Sequence, residues 1–74
     1  MANKYKATCP DGTIVTRKSK SRTYTHVLVV KDKEGKWGQF GWIGRPDLIN
    51  AKISEVARFG YTGDNVKVLE AEPA

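Results

Sequence analysis

Apolar and polar residues alternate through Tyr5-Lys6-Ala7-Thr8-Cys9, the two-residue period of a half-buried β-strand. Pro10-Asp11-Gly12-Thr13 follows as a turn, in which proline presets φ, aspartate caps its own backbone and glycine accepts the left-handed position. Ile14-Val15-Thr16-Arg17 returns as the second strand, closing a hairpin over residues 4–17. Residues 18–22, Lys-Ser-Lys-Ser-Arg, have no period and read as a connecting loop. From Thr23 to Lys31 the chain is rich in β-branched residues and reads as a strand. Its second half, Val27-Leu28-Val29-Val30, is apolar on both faces, which implies a central strand covered twice or paired at an interface. Asp32-Lys33-Glu34-Gly35 makes a second turn, and Lys36 to Ile43 returns with Gly38 and Gly41 inside it. Glycine within a strand marks a bulge or a close backbone approach.

At Gly44-Arg45-Pro46-Asp47 the period changes. Proline fits a first helical turn and Asp47 places negative charge near the helix N-terminus. Ile49, Ile53, Val56 and Ala57 then recur at helical spacing, and Gly60 stands where a C-terminal cap belongs, predicting a helix over 46–59. After a turn-rich stretch, Val66-Lys67-Val68-Leu69-Glu70 alternates as a short last strand, and residues 71–74 read as a frayed tail. The expected fold is one α+β domain over residues 1–74, ordered β-β-β-β-α-β. It is a small antiparallel sheet of four to five strands with one helix packed on one face. The expected core is Tyr5, Ala7, Val15 or Ile14, Leu28, Val30, Phe40, Trp42, Ile49, Ile53, Val56 and Val68.

Composition narrows the classes of function. A chain of 74 residues has room for one core, and one cysteine excludes an internal disulfide or a multi-cysteine zinc site. The four-residue apolar run at 27–30 is far below the ~20 residues of a membrane-spanning helix, and no apolar stretch follows the basic N-terminus. A cytoplasmic protein is expected. The net charge of +5 is lopsided: residues 1–36 hold nine lysines and arginines against three acids (+6), and residues 37–74 hold four against five (−1). One positive face is expected, attractive to nucleic acid, an acidic protein or anionic lipid, and of these nucleic acid or a host protein, with no membrane, is the expected partner.

Few residues are arranged for chemistry. The acids fall in turns (Asp11, Asp32, Glu34, Asp64), on the helix (Asp47, Glu55) and near the end (Glu70, Glu72), where acids cap or solubilise. No phosphate-binding glycine loop, metal-ligand spacing or nucleophile elbow is present, so no metal, no cofactor and no catalysis are expected. Cys9 reads as a buried small hydrophobe, and His26, flanked by threonine, as a hydrogen-bonded packing residue. Arg17-Lys18-Ser19-Lys20-Ser21-Arg22 stands out and has two readings: a solvated connecting loop, or a contact in which four cations spaced by small residues approach a phosphate. Strand parity sends Trp37 and Trp42 to opposite faces unless a glycine bulges, with Phe40 and Trp42 under the helix and Trp37 exposed. An exposed indole beside cations suits base stacking or a protein anchor. The expected contact residues are therefore Arg17, Lys18, Lys20, Arg22 and Trp37.

Pro-Asp-Gly-Thr at 10–13, Arg17, Ser19, and Arg-Thr-Tyr-Thr-His at 22–26 leading into Val-Leu-Val-Val resemble short reading frames of bacteriophages and prophages of Gram-positive hosts. The likeness covers the first 30 residues or so. It implies an accessory phage protein acting in the bacterial cytoplasm, where such proteins bind a host factor or nucleic acid. The function expected from charge and resemblance together is a small basic binding protein that inhibits or redirects a host protein or defence component. The alternative is a nucleic-acid-binding domain using residues 17–22 and an exposed aromatic. With open sheet edges and a doubly apolar third strand, a monomer or homodimer is expected.

Overall fold

The computed structural model describes residues 3–74. β1 (Asn3–Thr8) and β2 (Ile14–Ser19) form the first hairpin, with Ala7 opposite Val15 and Lys4 opposite Lys18. Its turn works as the residues require. Gly12 takes φ 93°, its N–H donates to the Cys9 carbonyl at 2.9 Å, and the Thr13 N–H donates to the Asp11 carboxylate at 3.0 Å. β2 runs two residues further than expected, so Lys18 and Ser19 belong to a strand and not to the loop.

The second hairpin joins β3 (His26–Lys31) to β4 (Trp37–Ile43). Here Asp32 Oδ1 accepts from the N–H groups of both Glu34 and Lys36 at 2.9 Å. The register slips along the ladder: Leu28 faces Gly41, but Val29 faces Gln39, leaving Phe40 as the extra residue of a bulge. A 3₁₀ turn, Pro46–Leu48, leads into α1 (Ile49–Ala57), and the chain leaves the helix through Gly60 at φ 92°. β5 (Val66–Glu70) then pairs antiparallel with the other side of β3. β6 (Glu72–Pro73) crosses back to pair with β1, and the Ala74 N–H donates to the Lys4 carbonyl at 3.0 Å. The end of the chain, expected to fray, is therefore hydrogen-bonded.

The sheet arrangement corrects the sequence expectation. The strands form two antiparallel sheets of three, β2-β1-β6 and β4-β3-β5, and not one sheet of four or five. The composition of β3 supplies the reason. Val27, Leu28 and Val29 are each fully buried, and burying such a side chain stabilises by roughly 1.5–3 kcal/mol. A nine-residue helix covers one face only. Val27 and Val29 are instead sealed by Ala7, Cys9 and Val15 from the first sheet, with Trp37, Trp42 and Leu69 around them. Leu28 packs with Ile43 and Val56 on the other face, with Val30, Phe40, Ile49, Tyr61, Val66 and Val68 against them. The β3 sheet thus lies between the β1 sheet and the helix.

Between the alternatives Val15 and Ile14 the structure chooses one, and two further placements differ. Val15 is the buried residue of its pair and Ile14 is 60% exposed. Ile53, placed in the core by helical spacing, is 40% exposed and lines an open hollow with Ala57, Tyr61, Val66 and Val68, while Val56 is the residue that the helix buries. Trp42 packs against the β1 sheet and not under the helix, since the bulge at Phe40 reverses the parity of the residues beyond it.

Candidate functional site

β2 is an edge strand, and parity sets the direction of each of its cations. Val15 points inward, so Arg17 lies on the same side, toward the open end of the sandwich, while Lys18 lies on the outer face. After β2 the chain bends back, with the Ser19 hydroxyl accepting the Arg22 N–H at 2.8 Å. This bend returns Arg22 and Tyr24 to the mouth of the sandwich. Tyr24 stands between two rings there: its centroid is 5.5 Å from Tyr5, edge to face, and 5.9 Å from Trp42. The Arg17 guanidinium lies 5.9 Å from the centre of the Tyr24 ring, within cation–π range.

Arg17, Arg22, Tyr24, Gln39, Phe40, Gly41 and Trp42 line an open groove of about 410 Å³, and no carboxylate is among its walls. The Trp42 indole N–H donates to the Gln39 side-chain oxygen, which holds the ring in place across the bulge. Among the described residues the ion pairs are Lys36–Glu34 at 3.9 Å, Arg45–Asp47 at 3.0 Å and Lys52–Glu55 at 3.5 Å. None involves Arg17 or Arg22, so both guanidinium groups have free donors. An arginine fork matches carboxylate and phosphate geometry, and an aromatic shelf beside it offers a stacking surface.

Of the five expected contact residues the structure brings together two, Arg17 and Arg22. Lys20 is exposed in the bend beyond the groove, and Lys18 faces outward opposite Lys4. Trp37 is a correction. Expected to be exposed, it is half-buried against the Val27 and Val29 cluster, with the Lys31 ammonium 5.8 Å from its ring centre. The bulge puts both tryptophans on one face of the sheet. Sequence reasoning passed over Tyr24, Gln39 and Trp42 as contact residues; the signal available for them was the pair Gly38 and Gly41, which marked a parity change without locating it.

The residues with latent chemistry are kept apart. Cys9 lies in the cluster between the two sheets, whereas His26 shares the parity of Leu28 on the helix side. Burial, and to a smaller degree the nearby Asp11 carboxylate, raises the Cys9 thiol above its ordinary pKa, so it stays protonated and a poor nucleophile. His26 Nδ1 is 2.9 Å from the Thr25 hydroxyl. Among the described residues no three of His, Cys, Asp or Glu lie close enough to hold a metal ion, and no helix is long and apolar enough to cross a membrane.

The helix side carries a different surface. Phe59, 67% exposed, meets Phe40 edge to face at 5.6 Å and lines a hollow of about 590 Å³ with Tyr61, Asp32, Lys33 and Glu34. No family model, curated protein or solved structure matches the chain.

Proposed function

We propose that this chain is a non-enzymatic binding domain whose groove at Arg17, Arg22, Tyr24 and Trp42 takes single-stranded nucleic acid. One observation carries the reading: two arginines without acidic partners flank a tyrosine–tryptophan shelf in an open groove. Arginine engages phosphate bidentately and the rings accept a base, whereas the stacked bases of a duplex would not reach the shelf. The resemblance of the first 30 residues supports a setting in the phage-infected bacterial cytoplasm, and open sheet edges support a monomer or homodimer.

Fluorescence anisotropy with a labelled oligothymidylate over a salt series tests it. Each phosphate contact on a single strand contributes about −0.7 to the slope of log affinity against log salt, so Arg17→Ala and Arg22→Ala should each flatten it by about 0.7. Matched duplex should bind more weakly. Absence of binding at ~50 mM salt, where counterion release is most favourable, sinks the reading.

A second reading is favoured by the exposed Phe59, Leu48 and Ile53, which suit a protein interface better than a nucleic acid. In it, the arginines clamp carboxylates of an acidic host protein or defence component. Polyglutamate displacing a weakly bound oligonucleotide from the groove, with Phe59→Ala abolishing host-protein capture, would favour this partner.

A further inference from the structure

The outer face of the β1–β2 hairpin holds a cation arrangement that folding alone does not favour. Lys4 and Lys18 are direct cross-strand partners, with Lys6 two residues along β1 on the same face. All three are exposed, and none takes part in the ion pairs found among the described residues. Like charges directly opposite in an antiparallel pair, with Cβ atoms about 4.5–5.5 Å apart, oppose folding. A lysine on an edge strand guards against pairing between copies, and Lys18 alone could serve that purpose. Lys4 is on the central strand of its sheet and has no such use. The remaining side chains of this face on β1 and β2 are Thr8, Ile14 and Thr16, so the single acid in register is Glu72, opposite Lys6. A shallow hollow of about 210 Å³ is lined by Lys4, Thr16 and Lys18 together with Tyr5, Arg17 and Ala74. Arg17 lines both this hollow and the aromatic groove, so the two concavities meet at the β2 edge.

Resting on the single-strand reading above, we infer that Lys4 and Lys18, assisted by Lys6, form a second phosphate-contact surface. It holds the sugar–phosphate backbone of the same strand after that strand passes around the β2 edge from the groove. The aromatic groove takes bases, and the outer face takes backbone only: its side chains are lysines, threonines and Ile14, and Tyr5, which borders the hollow, has the opposite parity and packs on Tyr24. The extra affinity is then a matter of strand length. An oligonucleotide confined to the groove does not reach Lys4, and a longer one does.

The test compares oligothymidylates of about four and about sixteen nucleotides, the range of site sizes common for small single-strand binders. They are titrated by anisotropy across a salt series against the wild type and the Lys4→Gln/Lys18→Gln double variant. For the long probe, loss of two single-strand contacts should flatten the salt slope by about 1.4, with binding at low salt weakened about tenfold or more. The short probe should change by less than about twofold, and Lys4→Arg/Lys18→Arg should keep the wild-type slope on both, as a surface that reads charge predicts. Thermal melting of the unliganded Gln variant should be unchanged or raised, because the opposed charges are gone; this separates lost contact from lost fold. Equal weakening of both probes would show a diffuse field in place of a contact surface, and an unchanged long-probe slope would show no contact; either overturns the inference while leaving the groove intact. Failure of the wild type to bind either probe removes the groove reading and this one with it.

Discussion

The two faces of the central β4-β3-β5 sheet are both apolar, yet they are covered in different ways and lead to different surfaces. On one face a second sheet seals Val27 and Val29 with Ala7, Cys9 and Val15, and the rim of that contact is basic and aromatic. On the other face one short helix covers Leu28 with Val56 and leaves Ile53 and Phe59 substantially exposed, in a setting of mixed charge. Of the six cations in residues 4–22, Lys4, Lys6, Arg17 and Lys18 lie on the first sheet and Lys20 and Arg22 on the bend that leaves it, so the layer that completes the core also delivers most of this positive charge. The covering element decides what a face of the core can offer to a partner. A sheet lays down an ordered row of side chains on both of its faces, whereas an isolated helix leaves apolar flanks.

Substitutions can break or sharpen this contrast. The largest effect is expected at β3 itself. Leu28→Ala, fully buried on the helix side, should lower stability by about 2–5 kcal/mol in urea unfolding, by transfer and cavity terms together. A loss of under ~1 kcal/mol would mean that the helix seals that face far less well than Val56 implies. Trp42→Ala comes next, costing about 1–3 kcal/mol of single-strand affinity if the ring stacks on a base. Melting of the same variant shows how much of the indole's role is packing. Ile53→Ala should cost only about 1 kcal/mol or less, because the side chain is 40% exposed, and a loss comparable to that of Leu28→Ala would mean that the helix flank is covered in solution, as by a second copy. Phe59→Ala should change stability by under about 0.5 kcal/mol and leave oligonucleotide binding untouched.

The smallest effect concerns the first turn. Hydrogen bonds from Thr13 hold the Asp11 carboxyl below its ordinary pKa. A lowered folded pKa contributes stability that is present above the unfolded value of about 3.9 and is lost as pH falls through the folded one. Melting temperature should therefore drop slightly more steeply on acidification in the wild type than in Asp11→Asn, which retains the acceptor oxygen. Identical acid limbs would show that the turn does not depend on the charge.

Local elements were legible because their causes are local. The two turns at Asp11-Gly12 and Asp32-Gly35 follow from an acid that caps its neighbours and a glycine that accepts positive φ. The helix follows from Pro46, the spacing of Ile49 and Val56, and Gly60. The doubly apolar run in β3 likewise required two covers, whatever elements were to supply them. Candidate contacts at Arg17 and Arg22 were legible as charge, but their shelf was not.

By itself, then, the sequence determined the order of the elements as far as β5, the turns between them and the demand of β3 for burial, since each depends on residues a few places apart, whereas β6 lies where the sequence predicts a frayed tail. Tertiary structure alone decided that the first hairpin forms its own sheet and supplies the second cover, because strand pairing joins segments whose separation carries no period. It also decided the faces of Trp37 and Trp42. One extra residue at Phe40 inverts every side chain beyond it, and the ladder register, set by packing against both covers, determines where that residue sits.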